Sequence, residues 1–329
     1  MNIGITSTIP IEVVFAAGHT PCDLNNLFIT DPDPNHFIRL AEEAGFPQTT
    51  CAWIKGIYGV LGDTLTEKEI NTVIIVSGGD CSNSIALGEI LKDDGKRVIP
   101  FSYPHAPAPA QMERTIQGLA DELGAEAGKI KLCKQQLDPI RNRLAELDRL
   151  TWQENLVSGE ENQLYLVNSS DFNGNPELFS SELEIFLKNL QSRHPLKKKI
   201  RLGLAGVPPI LSDLYKTLDK LDATVVFNEV PRQFALPWAP ECTLAEQYSR
   251  YTYPYQVDRR LLDIEQACSQ RRIDGIIHYT QSFCFRQIED ILFKRKLAIP
   301  TLTLEADQPG PIDGRTLTRI ETFIEMLQG

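Results

Sequence analysis

Short apolar runs that end in glycine, proline or a small polar residue and lead at once into an amphipathic stretch occur in two blocks of this chain. No other feature limits its fold as much. In the first block the runs are "NIGIT" (2–6), "TVIIVS" (72–77) and "RVIPFS" (97–102), with the helical patterns "HFIRLAEEAG" (36–45) and "SIALGEILKDDG" (84–95) among them. The latter keeps Ile85, Leu87, Ile90 and Leu91 near one face and stops at Gly95. In the second block the runs are "KIRLGLAGVP" (199–208), "TVVFNEV" (224–230), "IIHYT" (276–280) and "TLTLE" (301–305). Its helices are "DLYKTLDKLDA" (213–223), "RRLLDIEQACSQRRIDG" (259–275), stopped by Gly275, and "TLTRIETFIEMLQ" (316–328). Strands that alternate with helices make parallel sheets covered by those helices. From 111 to 193 the pattern is helical, with Asp138-Pro139 and Asn175-Pro176 reading as helix starts. A chain of 329 residues exceeds one small core. The expected fold is therefore α/β, with two parallel-sheet Rossmann-like domains joined by a largely helical middle section. The expected boundaries are 1–110, 111–195 and 196–329. No internal repeat stands out.

A net charge of -11 argues against a nucleic-acid partner or an anionic membrane surface. The basic "HPLKKKIR" (194–201) reads as a solvated turn before a strand. No apolar run approaches the roughly 20 residues of a membrane helix. The opening "MNIGITSTIP" lacks a basic segment and a long apolar stretch, so a cytoplasmic protein is expected. In such a reducing compartment the seven cysteines are expected to be free, metal-binding or catalytic.

Three cysteines share one kind of place. Cys51 precedes "AWIKGIYGVL", Cys81 stands between "TVIIVS" and "SNSIALGEIL", and Cys284 stands between "IIHYT" and "FRQIEDILF". Ligands of open α/β sheets bind beyond the carboxyl ends of the strands. Helix starts there offer unpaired N–H groups and a positive dipole end, which favour thiolate over thiol. Three thiolates without a nearby histidine suit an iron–sulfur cubane with one iron left open, whereas zinc would want a fourth ligand or a water. Each cysteine taken singly also fits as a small buried hydrophobe, and none lies in a Cys-x-x-Cys motif. Cys133 and Cys268 fall inside helices, Cys242 in the loop "APECTL", and Cys22 just past a turn in "GHTPCDLNN", where it is a possible fourth ligand.

The segments "TSTIPIEVVFAAGHTP", "CAWIKGIYG", "GGDCSNS", "DGIIHYTQSFCFRQIE" and "LEADQPGPIDGRTLTRIETFIEML" carry a resemblance nearly end to end. The chain resembles the cluster-bearing subunits of the 2-hydroxyacyl-CoA dehydratase and benzoyl-CoA reductase family (the D-component type). The resemblance implies that Cys51, Cys81 and Cys284 are the protein ligands of a 4Fe-4S cluster. It implies an ATP-hydrolysing iron–sulfur activator as electron donor, and an acyl-CoA that is dehydrated or reduced. It also implies a homodimer, or a heterodimer with a related subunit. The chain has no G-x-x-x-x-G-K-S/T phosphate loop, so it would be the acceptor and not the activator.

On the same resemblance Ser7 matches a hydroxyl near the substrate, with turn formation as its other role. Glu12 reads as a structural acid at a helix start. Where some dehydratases carry an acid/base carboxylate, this chain has Asn25-Asn26, and neither amide takes up a proton at neutral pH. His19 and Asp23 are the substitutes at hand. His278 stands near enough to Cys284 in sequence to reach cluster sulfurs, or to be a core histidine. Arg232 and Gln233 in "FNEVPRQF" are candidates for contacting an anionic substrate or for orienting the cluster loop, and "YTYPYQVDRR" (251–260) for a lip over the substrate or a partner subunit or for simple packing. Two other functions remain open. One is a homodimeric reductase of small non-CoA molecules carrying a double-cubane cluster, which would need about six thiolates. The other is a non-catalytic metal-binding or accessory protein.

Overall fold

The computed structural model describes residues 1–63, 69–238, 241–281 and 283–329. The first sheet contains β1 (Asn2–Ile5), β2 (Thr20–Asp23), β3 (Ile70–Gly78) and β4 (Arg97–Ser102), and the second contains β5 (Ile200–Gly206), β6 (Ala223–Asn228), β7 (Gly275–Thr280) and β8 (Thr301–Glu305). Every pairing is parallel. The strand orders are β2-β1-β3-β4 and β6-β5-β7-β8, so the two halves repeat one topology that their sequences do not share visibly. In both, the chain leaves the first strand to one side and returns on the other. A crevice opens where the order reverses, at the carboxyl ends of β1 and β3 and of β5 and β7. The fold is the α/β arrangement of two Rossmann-like sheets that the alternation of runs predicts.

The helices of the first half are α1 (Ile11–Ala16), α2 (Leu24–Ile29), α3 (Pro34–Glu43), α4 (Ala52–Gly62) and α5 (Ser82–Asp93). Next come α6 (Pro109–Leu123), α7 (Ala127–Trp152), α8 (Gly159–Asn168) and α9 (Pro176–Asn189). The second half adds α10 (Leu214–Lys220), α11 (Glu229–Phe234), α12 (Leu244–Arg250), α13 (Val257–Arg271), α14 (Phe285–Lys296) and α15 (Gly314–Gln328). None of the described helices is long and apolar enough to cross a membrane.

Three local expectations fail for physical reasons. Cys22 is expected just past a turn, yet "TPCD" forms β2 in spite of its proline and its polar ends. An edge strand tolerates a residue without an N–H. Asp138-Pro139 does not start a helix, because α7 runs through it. The backbone bond lost at Pro139 is set against burial of Leu137, Ile140, Leu144 and Leu147 and an ion pair from buried Arg141 to Glu12 at 2.5 Å. Helix α13 stops at Arg271, capped by a left-handed Arg272 (φ 52°). Gly275 instead opens β7, where a Cβ would come within 2.7 Å of Leu327 and 2.8 Å of Phe323. Asn175-Pro176 does start α9, its side-chain oxygen accepting the Leu178 N–H at 3.1 Å.

The central strands β3, β5 and β7 are buried on both faces, as covered parallel sheets require. One face of the first sheet packs with α1, α6, α7, α9 and α12 through residues such as Ile74, Phe101, Met112, Leu144 and Tyr248. Its other face shares a continuous apolar core with the second sheet, in which Leu24, Phe28 and Ile57 join Leu202, Tyr279 and Leu304. The two halves are therefore held face to face by buried apolar surface, the largest favourable contribution available to them.

Candidate functional site

All three cysteines singled out by sequence are the residue immediately before a helix. Cys51 is the N-cap of α4, Cys81 of α5 and Cys284 of α14. None uses its side chain as a hydrogen-bonding cap, so the sulfurs are left to face elsewhere. They line one cavity of about 310 Å³. Both crevices open onto it, since Thr6, Ser7 and Thr8 after β1 and Val207, Pro208 and Pro209 after β5 also form its wall. The first half thus supplies Cys51 and Cys81, and the second supplies Cys284. A third wall comes from α8, through Glu160, Gln163, Leu164, Val167 and Asn168. The helical pattern of the middle section gave no sign of this wall, because its residues carry no distinctive chemistry.

Backbone N–H groups of Trp53 and Ile54 point toward the Cys51 sulfur, and that of Arg286 toward Cys284, near enough to favour the ionised form without making a capping bond. Cys81 Sγ lies 3.8 Å from Ser84 Oγ. Gln281 crosses from the second half to the first. Its side-chain oxygen accepts the Cys51 thiol at 2.9 Å and the Ala52 N–H at 2.8 Å.

At Cys51 and Cys284, however, burial outweighs the helix starts. Burial pushes the Cys51 thiol up to about 12, outweighing the Trp53 and Ile54 N–H groups, and the nearby Cys284 and Cys81 push it further. Burial likewise raises Cys284 above its ordinary value, against the pull of the Arg286 N–H and guanidinium. Dipoles at helix ends act within one turn of the end, and desolvation in this cavity exceeds them. Buried thiols that repel one another when ionised need a positive charge among them, and a metal supplies it, because coordination deprotonates a thiol outright.

That chemistry fits a cluster. No three described His, Cys, Asp or Glu side chains gather around a point that one metal ion would fill. A cubane takes each thiolate on a separate iron and so accepts ligands spread more widely around one cavity. Of the seven cysteines, only Cys51, Cys81 and Cys284 line the cavity among the described residues. Cys22 is buried in β2 within the apolar core, Cys133 borders a separate groove under α7, and Cys242 and Cys268 lie elsewhere.

The pair of glycines before Cys81 serves a neighbouring loop as well as the cavity. Gly79 has φ +96°, and a Cβ there would stand 2.6 Å from the Pro254 Cβ. The glycine lets the 253–255 segment close on the cysteine loop. Gly79→Ala is expected to lower stability by about 1–3 kcal/mol, measured by urea denaturation, because both its backbone and Pro254 must shift. Asp80 then accepts the Cys81 N–H at 2.8 Å and the Ser84 hydroxyl at 3.1 Å. Burial raises its carboxyl, with Cys81 N–H, Arg286 and Ser84 opposing. Arg286 lies 3.8 Å from the Tyr253 ring centre and donates to the Tyr253 carbonyl at 2.7 Å. Sequence reasoning missed Gln281 and Arg286 in the loop around Cys284, where only the thiol drew notice.

Ser7, Asp23, Asn25, Asn26 and Tyr253 line the cavity. Burial raises the Asp23 carboxyl even though Ser170 and Asn25 donate to it. His19 does not reach the wall. Glu12 is buried against Arg141 and the Tyr248 hydroxyl. The expectation that Arg232 and Gln233 meet an anionic substrate is not met. Arg232 pairs with Asp263, and Gln233 donates to Asp263 and accepts the Thr252 N–H. His278 is fully buried, with Nδ1 3.0 Å from Asp290 and its ring stacked on Phe293 at 4.2 Å. It therefore serves the core. In "YTYPYQ", Tyr251 and Tyr255 pack beside Tyr103, while Tyr253 reaches the cavity.

Comparison with curated proteins finds no match. A family model described as 2-hydroxyglutaryl-CoA dehydratase, D-component, matches residues 6–327, a span that takes in all three cysteine helices and every strand of both sheets but β1. The resemblance read from the cysteine segments and the tail is therefore one of descent, and the chain belongs to the 2-hydroxyglutaryl-CoA dehydratase D-component family.

Proposed function

We propose that this protein is the cluster-bearing subunit of a dehydratase- or reductase-type enzyme acting on an acyl-CoA, with Cys51, Cys81 and Cys284 holding one 4Fe-4S cluster. The observation that carries this is the convergence of three helix-capping cysteines, from both halves of the chain, on one cavity. When bound, the cluster supplies a low-potential electron and one iron not taken by protein. The N–H groups of Trp53, Ile54 and Arg286 aim at the ligand sulfurs and stabilise negative charge there. Gln281 fixes the start of α4 against the second half. Ser7 offers a hydroxyl at the end of β1 to hold a substrate oxygen, and Phe234 and Tyr253 keep water from that wall. The electron donor is an ATP-hydrolysing iron–sulfur activator, and the working assembly is a dimer with an identical or related subunit.

The test is iron and acid-labile sulfide per chain after anaerobic purification or reconstitution, with zinc measured alongside. About four of each are expected for a single cubane, falling nearly to zero in Cys51→Ala, Cys81→Ala and Cys284→Ala chains that keep the wild-type circular dichroism spectrum. Zinc without sulfide, or no metal after reconstitution, would remove the redox reading and leave a two-domain binding protein. About eight irons would instead favour a double cubane.

A further inference from the structure

The cavity wall is electrically one-sided. Among the described residues that form it there is no lysine, arginine or histidine, whereas Asp23, Asp80 and Glu160 all take part. The last turn of α8 adds to this, since Val167 and Asn168 face the cavity and a helix carboxyl end carries partial negative charge. The helix starts that would attract an anion are already engaged, that of α8 by its Ser158–Glu161 capping box and by Glu160 in its first turn. Helices α4, α5 and α14 begin at the three cysteines. The short helices α2 and α10 begin behind acids of their own, Asp23 and Asp213. Arg286, beside Cys284, is no part of the wall. Its guanidinium is covered by the Tyr253 ring and donates to the Tyr253 carbonyl and to Glu289. A carboxylate carried into this space would lose water and gain no counter-charge.

We infer, on the reading of the chain as an acyl-thioester enzyme, that the acyl end it accepts is uncharged: an alkyl or aryl group. The carboxylate-bearing glutaryl end named in the family's description does not suit this wall. The volume agrees with a small group. About 310 Å³ is at the low end of the roughly 300–1,000 Å³ of small-molecule sites, and the cluster held by Cys51, Cys81 and Cys284 would share it, so only a small acyl end enters and the coenzyme portion stays outside.

The test uses two coenzyme A thioesters that differ only at the acyl terminus. One is a 2-hydroxyacyl group with an isopropyl end, and the other has the same length and ends in a carboxylate. Their binding to the anaerobically reconstituted protein is measured by titration calorimetry without activator or ATP, so that no turnover intervenes. The neutral thioester is expected to bind at least about a hundredfold more tightly. Asn168→Lys places an ammonium at the carboxyl end of α8, where a cation is favoured. It is expected to narrow that gap about tenfold or more by strengthening the carboxylate ligand. If the carboxylate thioester binds the wild-type protein as tightly as the neutral one, the inference is overturned and the acyl-thioester reading stands. An unchanged gap in a folded Asn168→Lys protein also overturns it, because the discrimination would then not be electrostatic. If neither thioester binds a chain with full iron and sulfide, the acyl-thioester reading falls and this inference falls with it.

Discussion

Arg260→Met is expected to cost the protein about 3–5 kcal/mol of stability, seen as a lower urea midpoint with an unchanged slope. Arg260 is fully buried and grips Glu229 with two bonds, Nε to Oε1 at 2.7 Å and Nη2 to Oε2 at 2.8 Å, while Nη1 reaches Glu289 at 2.6 Å. Methionine fills similar space but strands the Glu229 carboxylate in the core. The double variant Glu229→Gln with Arg260→Met is expected to recover most of the loss, because the uncompensated charge and not the missing pair is what destabilises. The pH dependence follows from Glu229. Burial alone would raise its carboxyl, but Arg260 and the Gly206 N–H hold it below its ordinary value. Its contribution is therefore complete above the unfolded glutamate value of about 4.3 and is lost as pH falls through the lower folded value. In Arg260→Met the same carboxyl is raised by burial, so its penalty is relieved on acidification. The gap between variant and wild type is expected to be widest near neutrality and to close in acid. A gap that stays constant from pH 7 to below about 4 would show that Glu229 is not the cause.

Gly206→Ala is expected to be comparably severe, at about 3 kcal/mol or more from backbone strain and overpacking together. Gly206 ends β5 with φ +97°, and a Cβ there would stand 2.0 Å from the Tyr279 carbonyl oxygen. Backbone meets backbone at this point, so no side-chain rotation can relieve the clash. The β5–β7 ladder must open at the mouth of the crevice. The Gly206 N–H also donates to Glu229 at 2.9 Å, so this strand end and Arg260 share one carboxylate. Their effects should not add. A double-mutant cycle is expected to show coupling of about 0.5–3 kcal/mol. Additive losses would mean that the two residues act separately.

The α/β fold and the three cysteines were legible because each rests on a local signal. An apolar run followed by a helix start needs no partner to be recognised, and a thiol at that junction is a distinct chemical mark. The edge strand β2 was not legible, since its pairing with β1 and not its own composition makes it a strand. The upward push on the Cys51 thiol was not legible for a related reason. Its helix start is local, whereas the burial that outweighs it comes from the assembled fold around it. The network of Arg260, Glu229 and Glu289 joins residues about thirty positions apart, and Gln281 meets Cys51 across 230 positions. No short-range pattern announces such meetings. The cation-free wall emerged only once β1, β3, β5, β7 and α8 were brought around one space.

The common strand order of the two halves gives the cavity a broken symmetry. β3 and β7 hold the same place in their sheets, and each is followed by a cysteine that opens a helix, Cys81 before α5 and Cys284 before α14. Cys51 opens the helix that precedes β3. Its counterpart in the second half is the start of α13, the helix that precedes β7, where Gln256 stands and Tyr253 reaches the cavity. A symmetric molecule would bring four thiols to the cavity. This one brings three, and in the fourth place the Tyr253 segment closes the wall with an aromatic side chain. The two halves are thus least alike at the start of α13, and the cavity is lopsided although the sheets that frame it are not.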